Sequence, residues 1–397
     1  MKILVLNAGS SSLKYQLIDM NGEVVLCKGV AEKICDEGSF LTHKVNGETH
    51  KIMHDMPDHK VALRLVLDTL CDAKLGVISS LNEIDAIGHR VLHGAEDFKQ
   101  SALVDDEVIR ICKKNEPFGP LHMPANIACM EICREMLPVP NVAVFDTAFH
   151  QTMPDYAYRY ALPEEDYQEL RVRKYGFHGT SHKFVSGEAA RIAGRSDLKV
   201  ITCHLGNGAS IGAVKDGKIL DTSMGFTPLE GLVMGTRSGD IDPAVIPVIM
   251  KKRGIEDIGK FVDVYLNKKS GMKGIAGVSD CRDLQQLAES GNKNAALALT
   301  MFAYRVKKYI GAYAAVLNGV DMVVMTGGIG ENSDYMRKLI LEDMQYLGIE
   351  LDVAANSKAH GVTTKISTPS SKVDVYVIPT NEELVIARDT LALSGLK

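Results

Sequence analysis

The sequence predicts an α/β protein made of two duplicated halves of the βββαβαβα type. Apolar runs of strand length alternate with segments of helical periodicity along the whole chain. A strand–turn–strand pattern with a turn of small polar residues occurs near residue 10 and again near residue 207. A pattern repeated half a chain apart indicates an internal duplication, which constrains the architecture more than either copy alone.

Length and composition agree with a globular protein of two domains. At 397 residues, the chain is too long for one ordinary hydrophobic core. The formal net charge of −5 provides no basic surface for nucleic acid or an anionic membrane. No apolar run approaches the roughly 18–20 residues that span a bilayer, and no signal-peptide pattern precedes the first strand. We therefore expect a cytoplasmic protein with reduced cysteines and with no nucleic-acid or membrane partner.

The N-terminal stretch is the first copy of the repeated pattern. Ile3–Leu6 reads as a buried strand, Asn7–Ser12 as a small polar turn, and Leu13–Ile18 as the returning strand. Backbone N–H groups and hydroxyls in such a turn suit a phosphate group, and Lys14 adds a positive charge beside it. Taken alone, the turn is equally consistent with an ordinary serine-rich hairpin.

The second copy and a third glycine-rich segment strengthen the case for a nucleotide. In the second copy the turn is Gly206–Ser210, and Thr326–Asn332 follows a buried strand at 320–325 and precedes a helix. Backbone N–H groups before a helix favour phosphate, although the segment matches neither the P-loop nor the dinucleotide fingerprint. Alone it is as consistent with a packing turn, but with two phosphate-type hairpins it favours a nucleotide held between the halves.

Several charged or titratable side chains stand in segments that suit phosphoryl transfer. Four of them are predicted in glycine- or proline-rich loops: Arg90, His122, His178 and Arg237. Phosphoryl transfer needs positive groups around the three equatorial oxygens, and arginine forks onto oxyanions as lysine does not. Asp146 and Glu382 follow strands and are candidate Mg²⁺ ligands or bases. For each residue alone, a surface pair, a satisfied core group or a helix N-terminal acid remains an alternative.

The pattern of elements predicts where the domains divide. We expect an N-terminal domain on the acyl-substrate side, formed by residues 1–149 and 384–397, and a nucleotide-binding domain formed by residues 150–383. Cys129 and Cys133 share one face of a predicted helix. No second ligand pair accompanies them, so the sequence does not predict a zinc site.

Seven segments, in order along the whole chain, together resemble the acetate kinase (acetokinase) family. They are Asn7–Lys14, Gly88–Val91, Gly176–His182, His204–Gly208, Thr236–Asp240, Gly328–Asn332 and Thr380–Glu383. The set is far more specific than any single segment. The resemblance implies the actin-like ATPase (ribonuclease H-like) fold, with a nucleotide cleft between two duplicated domains.

The resemblance implies an enzymatic activity and an oligomeric state. The reaction is reversible, Mg²⁺- or Mn²⁺-dependent phosphoryl transfer between ATP and acetate, which gives ADP and acetyl phosphate by direct in-line transfer. The implied assembly is a homodimer. Two alternatives remain. One is a propionate or butyrate kinase of the same fold, because one methylene changes binding by only about 1–3 kcal/mol. The other is a non-kinase ATPase of the same superfamily, such as a chaperone or a filament protein.

The resemblance also assigns roles to residues. The catalytic set is Asp146, His178, Arg237, Arg90 and His122. The acyl-substrate set is Arg90, Leu92, Leu121, Phe177 and Pro228. The ATP-binding set is Ser10, Ser12, Lys14, His204, Leu205, Gly206, Asn207, Gly208, Asp280, Cys281, Arg282, Gly328, Ile329, Gly330, Glu331 and Asn332. The metal-organising pair is Asn7 and Glu382.

Three positions depart from the family pattern. Leu92 stands where many relatives carry valine, and its larger side chain is expected to narrow the acyl pocket toward acetate. Met123 replaces the asparagine that usually follows His122 and removes an amide from that loop. Ala95 replaces a common glycine.

Overall fold

The computed structural model describes residues 1–396, which divide into two compact units. Unit 1 is formed by residues 1–148 and 381–396, and unit 2 by Phe149–Thr380. The boundaries expected from the sequence lie one and three residues further along the chain. Within the described residues, no helix combines the length and apolar character needed to cross a membrane.

Unit 1 contains an eight-stranded sheet and four helices, numbered in chain order. Its strands are β1 (Lys2–Gly9), β2 (Ser12–Asp19), β3 (Val24–Glu32), β4 (Phe40–Val45), β5 (Glu48–Met53), β6 (Ala86–Val91), β7 (Ala102–Leu103) and β8 (Asn141–Phe145). Its helices are α1 (His59–Leu70), α2 (Asp106–Lys114), α3 (Met123–Met136) and the C-terminal α15 (Glu382–Leu393). The strand order is β5-β4-β3-β2-β1-β6-β8-β7.

Unit 2 contains a six-stranded sheet and the other eleven helices. Its strands are β9 (Lys199–Leu205), β10 (Ala209–Lys215), β11 (Lys218–Thr222), β12 (Met322–Thr326), β13 (Thr364–Lys365) and β14 (Asp374–Val377), in the order β11-β10-β9-β12-β14-β13. Its helices are α4 (Asp155–Tyr158), α5 (Glu164–Leu170), α6 (Gly179–Ala193), α7 (Val245–Arg253), α8 (Ile258–Lys260), α9 (Gly271–Ala276), α10 (Cys281–Glu289), α11 (Lys293–Val316), α12 (Gly327–Asn332), α13 (Asp334–Leu341) and α14 (Val353–Lys358).

The two sheets share one topology, which confirms the predicted duplication. In unit 1, β1, β2 and β3 form an antiparallel meander, and β6 and then β8 add in parallel on the other side of β1. In unit 2, β9, β10 and β11 form the equivalent meander, and β12 and β14 add in parallel beside β9. The predicted fold class, two duplicated α/β halves, is therefore confirmed.

The alternation of side chains along β1 explains why this strand is apolar throughout. Leu4 and Leu6 belong to the core that includes residues of α1 and α3. Ile3 and Val5 belong to a second core with Ile386 of α15. Because successive side chains point to opposite faces of a sheet, a strand covered by helices on both faces must be apolar at every position.

The polar turns of both hairpins are shorter than predicted. Asn7 pairs with Lys14 and Gly9 pairs with Ser12, so only Ser10 and Ser11 form the first loop. In the second hairpin the loop is residues 206–208, because Ala209 pairs with Leu205. Asparagine and glycine favour turns over strands, but strand pairing, which the local sequence does not reveal, overrides this preference here.

Two other predictions of loop structure are wrong. Arg90 lies within strand β6 and not in a loop after it. The glycine-rich segment at 327–332 forms the short helix α12 and not an open turn. For β6 the reason is packing: a Cβ on Gly88 would lie 2.6 Å from Cγ2 of Ile386, so the glycine lets α15 lie directly on the strand.

The contact at Gly88 predicts the effect of a methyl group on stability. Gly88→Ala forces α15 away from β6, and we expect the free energy of unfolding to fall by about 1–3 kcal/mol. Thermal unfolding followed by circular dichroism measures the change. The matched control is Gly187→Ala in α6, where nothing lies within 4 Å of the added Cβ, so better helix propensity raises stability by up to about 1 kcal/mol. A Gly88→Ala midpoint equal to that of the wild type contradicts the packing argument.

Candidate functional site

Three predicted side chains of unit 1 lie on one face of its sheet, near the carboxyl ends of parallel strands: Asn7, Arg90 and Asp146. Val5 of β1 and Val144 of β8 pack with α15 on this face. Side chains two residues apart share a face, so Asn7 and Asp146 point to the α15 side. Arg90 pairs with Val144 in register and therefore points there as well. The carboxyl edge of parallel strands is a common place for ligand sites in α/β proteins.

Arg90 and Asp146 form a partly buried ion pair at this edge. Nη2 of Arg90 donates to Oδ2 of Asp146 at 3.0 Å, and the Asp146 side chain is only 1% exposed. The charge of Asp146 raises the pKa of Arg90 against the opposing effect of burial, and Glu382 and Glu383 raise it further. These two glutamates form the first turn of α15. One carboxylate, that of Asp146, thus contacts the guanidinium group directly, and the two glutamates add negative charge to its surroundings.

Asn126 is a residue of this region that sequence reasoning missed. Its Nδ2 donates to the carbonyl of Ala8 at 2.7 Å, and its Oδ1 accepts from the backbone N–H of Leu92 at 3.0 Å. The side chain is 4% exposed. Asn126 therefore ties the end of β1 to the segment that follows β6. The available signal was a polar residue in the otherwise apolar buried stripe of helix α3.

The loop before α3 carries the rest of the predicted acyl and catalytic residues of unit 1. His122 is the N-cap residue of α3, and Leu121 is 60% exposed. Met123 is fully buried. A Cβ on Gly119 would lie 2.8 Å from Cδ2 of Leu92 and 3.1 Å from Cγ of Met123. Leu92 is thus wedged against this loop, and the Met123 side chain contributes to its packing.

In unit 2, His178 and Arg237 converge on the second hairpin loop. A Cβ on Gly208 would lie 3.3 Å from Nη1 of Arg237 and 3.7 Å from Nε2 of His178. Nη1 of Arg237 also donates to the carbonyl of Pro228 at 3.3 Å. Burial lowers the pKa of Arg237, but a guanidinium group stays charged at neutral pH. An anion at this loop therefore meets a fixed positive charge and a titratable ring.

A chain of hydrogen bonds orients His178. Nδ1 of His178 lies 2.9 Å from Oγ of Ser210, which lies 2.8 Å from Nε2 of His182, whose Nδ1 lies 2.7 Å from Oγ1 of Thr202. Burial lowers the pKa of His182 well below its usual value, so this ring is neutral. Since Thr202 donates to the carbonyl of Gly212, the protons along the chain assign an N–H to Nδ1 of His178. The proton that His178 gains or loses is then the one on Nε2.

His204 completes this arrangement. Its ring stacks on that of His178 with centroids 4.2 Å apart, and its Nδ1 lies 2.8 Å from Oγ of Ser181. Ser181 lies in the first turn of α6. The stacking holds the His178 ring at the hairpin loop.

A cavity of about 670 Å³ opens beside the same loop in unit 2. Eight predicted ATP-binding residues line it: Gly206, Asn207, Asp280, Cys281, Arg282, Gly328, Ile329 and Asn332. Four further lining residues were not predicted: Ser279, Gln285, Ser333 and Asp334. Its size is within the range of roughly 300–1,000 Å³ that is usual for small-molecule and cofactor sites.

Other predicted residues have a different placement. Leu205 and Phe177 are buried side chains of the unit 2 interior. Oε1 of Glu331 accepts from the backbone N–H groups of Gly327 and Thr380 at 2.9 and 3.1 Å, so this carboxylate holds the glycine-rich segment together. In unit 1, Ser10 and Lys14 are exposed at the hairpin and Ser12 is half-buried.

A nucleotide-sized cavity beside an arginine and a histidine suited to phosphate, on a duplicated α/β fold, is typical of a phosphotransferase of the kinase class. Within this class the chain belongs to the acetokinase family, because the sequence model of that family matches residues 2–388. Acetate kinase of Thermotoga maritima is 56% identical over 396 residues, which cover 98% of each chain.

Two solved structures agree with this assignment. Acetate kinase of Porphyromonas gingivalis is 48% identical and has a TM-score of 0.95, with 99% of each chain covered. A propionate kinase of Francisella tularensis is 42% identical and has a TM-score of 0.92, again with 99% of each chain covered. The predicted family and enzyme class are therefore confirmed.

The hydrogen-bond chain predicts that Ser210 acts through His178. Ser210→Ala removes the acceptor of the Nδ1 proton, and we expect kcat of the kinase reaction to fall about 10- to 100-fold, as for other orienting partners of histidine. The KM for ATP should change little, and the pH profile of kcat should shift because the ring loses its fixed tautomer. Steady-state kinetics across pH measure both effects.

The control for Ser210→Ala is Ser186→Ala, which removes a buried hydroxyl bonded to the carbonyl of Lys183 in α6. This variant should keep kcat and its pH profile. In the double variant Ser210→Ala with His178→Ala, the loss should be no larger than for His178→Ala alone. Independent, multiplicative losses would contradict a role that passes through His178.

Proposed function

We propose that this protein is an acetate kinase, which reversibly transfers the γ-phosphoryl group of ATP to a carboxylate oxygen of acetate. The observation that carries the proposal is the convergence of His178 and Arg237 at Gly208, beside the nucleotide-sized cavity of unit 2. Phosphoryl transfer needs fixed positive charge more than covalent chemistry. The proposal also assigns the nucleotide to unit 2 and the acyl substrate to unit 1.

Unit 2 supplies nucleotide binding and charge neutralisation in this proposal. The nucleoside occupies the cavity, and the phosphates follow the loop at 206–208 toward His178 and Arg237. The guanidinium group of Arg237 and the Nε2–H of His178 stabilise the negative charge on the equatorial oxygens during transfer. His204 and Ser210 keep the His178 ring aimed at that group.

Unit 1 supplies the acetate site. Arg90 binds the carboxylate of acetate or the oxygens of acetyl phosphate, and Asp146 holds the guanidinium group in place. Acetate is a nucleophile in its ionised form, so it needs no general base, and transfer is direct and in line without a phosphoenzyme. His122, at the start of α3, is a proposed auxiliary residue near the transferred phosphoryl group.

The residues of unit 1 fit a Mg²⁺ ion. Asn7 and Glu382 offer an amide and a carboxylate oxygen on the α15 side of the sheet, and Mg²⁺ is usually held by one or two such oxygens together with phosphates and water. Mn²⁺ accepts the same donor set. When bound, the ion neutralises charge on the β- and γ-phosphates of the nucleotide.

The acyl pocket favours acetate over longer acids. Leu92 is wedged against Gly119 and Met123 in unit 1, so it does not swing aside for an added methylene without moving the loop. Leu121, which is 60% exposed in the same unit, is a second proposed member of the pocket. The second candidate is a propionate kinase, which is favoured by the likeness to the Francisella tularensis enzyme.

The proposal extends to assembly and location. We propose a homodimer, because two-fold dimers are the commonest oligomers of such enzymes, and light scattering coupled to size-exclusion chromatography measures it. We propose a cytoplasmic location, where ATP is available and where the eight cysteines, all unpaired in the structure, stay reduced.

Trapping of the acyl phosphate tests the function. Purified protein with ATP, Mg²⁺ and hydroxylamine is offered acetate, propionate or butyrate, and the hydroxamate is measured. We expect the highest kcat/KM with acetate, and a loss of roughly 10-fold or more for propionate, since one methylene is worth about 1–3 kcal/mol in an apolar pocket. Higher kcat/KM with propionate selects the second candidate. ATP hydrolysis without any hydroxamate contradicts both and points to a non-kinase ATPase.

The size of Leu92 predicts acyl selectivity. Leu92→Val removes one methylene from the pocket and should raise the ratio of propionate to acetate kcat/KM several-fold, with the KM for ATP unchanged. The matched control is Leu103→Val, which makes the same change at a 50% exposed leucine of unit 1 and should leave the ratio unchanged. An unaltered ratio in Leu92→Val would show that this side chain does not limit the acyl group.

A further inference from the structure

A second cluster of ligating side chains lies on the opposite face of the unit 1 sheet from Arg90. It consists of His89 in β6 with Cys129 and Cys133 in α3, and one ligating atom of each lies within 4.8 Å of the others. All three side chains are buried, with 2%, 3% and 0% exposure. The alternation of β6 points His89 toward α3 when Arg90 points toward α15, and the spacing of four residues puts both thiols on one face of the helix.

The ring of His89 is oriented for coordination. Its Nε2 lies 2.7 Å from Oδ1 of Asn141. The Nδ2 of Asn141 donates to the carbonyl of Val139 at 2.9 Å, so the amide presents its oxygen to the histidine. Nε2 of His89 therefore carries the proton, and Nδ1 presents a lone pair. Histidines that ligate metals donate their other N–H in this way.

The two thiols lie against each other in an apolar core. Two adjacent thiolates cannot both be buried there without a compensating positive charge. A bound metal ion would supply this charge.

We propose that His89, Cys129 and Cys133 form a three-coordinate site for a soft monovalent metal ion, with Cu(I) as the biological occupant. Two thiolates and one imidazole select soft metals. Within residues 1–396, no carboxylate, further histidine or further thiol joins this group, so the set falls one ligand short of the four that structural Zn²⁺ sites use. The core around the thiols is apolar.

Occupation of the site would brace the part of unit 1 that carries Arg90. The metal would join β6 to α3, and α3 also carries Asn126, which holds Ala8 and Leu92. A ligand that binds the folded state alone stabilises it by mass action. Cu(I) should therefore raise the melting temperature of the protein by several degrees, with the release of thiol protons on binding.

Anaerobic titration with Cu(I) tests the proposal. Cu(I) is buffered by a chromophoric chelator, and the readouts are the stoichiometry, the thiolate-to-copper absorption band, the melting temperature and the X-ray absorption spectrum. We expect one Cu(I) per chain with two sulfur ligands and one nitrogen ligand. Because the ligands are buried, loading is measured after overnight incubation of the native protein and after refolding from denaturant in the presence of Cu(I).

Matched variants separate this cluster from the other thiols. Cys129→Ala and Cys133→Ala should each abolish the absorption band and the rise in melting temperature, and His89→Gln should weaken binding at least tenfold. The controls are Cys27→Ala and Cys112→Ala, which remove other buried thiols of unit 1 and should leave binding intact. The apo variants are compared by circular dichroism and thermal unfolding, so loss of the fold is recognised.

Three outcomes would overturn the proposal. The first is the absence of Cu(I) binding in both the native and the refolded protein. The second is Cu(I) binding that persists in the Cys129→Ala, Cys133→Ala double variant. The third is a rise in melting temperature with Zn²⁺ that depends on Cys129, because it would require a fourth ligand and contradict the three-coordinate geometry.

Discussion

The ion pair between Arg90 and Asp146 is the interaction on which the proposed acetate site depends. Asp146 is 1% exposed and lies 3.0 Å from the guanidinium group. Removing the cationic partner of a buried carboxylate such as Asp146 is destabilising. The pair also fixes the direction of the guanidinium group, so the proposed substrate carboxylate would meet an oriented partner. Glu382 and Glu383 add negative charge near the same group. Orientation before binding is what lowers the entropic cost of phosphoryl transfer.

One short strand contributes to both proposed sites because side chains alternate along it. Gly88 and Arg90 face α15, where glycine admits the helix and arginine lies at the edge proposed to bind the substrate. His89 faces α3 and meets Cys129 and Cys133. Both helices are needed to bury the parallel strands of the sheet. A change at the proposed metal site would therefore act on the same strand as Arg90, but through its other face.

The sequence predicted the parts of the site that are local. The two hairpins, the glycine-rich segment and the strand before Asp146 are each visible in a short window, and their repetition revealed the duplicated fold. Arg90 was expected in a loop, because the extent of β6 depends on pairing with β1 and β8. The roles of Asn126, Ser210 and His182 were missed. Their partners lie far away in sequence, and only strand register and helix packing bring them together.

The central claim is that Asp146 acts by holding Arg90, and a double-mutant cycle tests it most directly. The kcat/KM for acetate is measured in the wild type, Arg90→Ala, Asp146→Ala and the double variant, with thermal unfolding as a check of the fold. We expect both single variants to lose most of the kcat/KM for acetate and the double variant to be little worse than Arg90→Ala. Losses that multiply in the double variant would contradict the account and give Asp146 a role independent of Arg90.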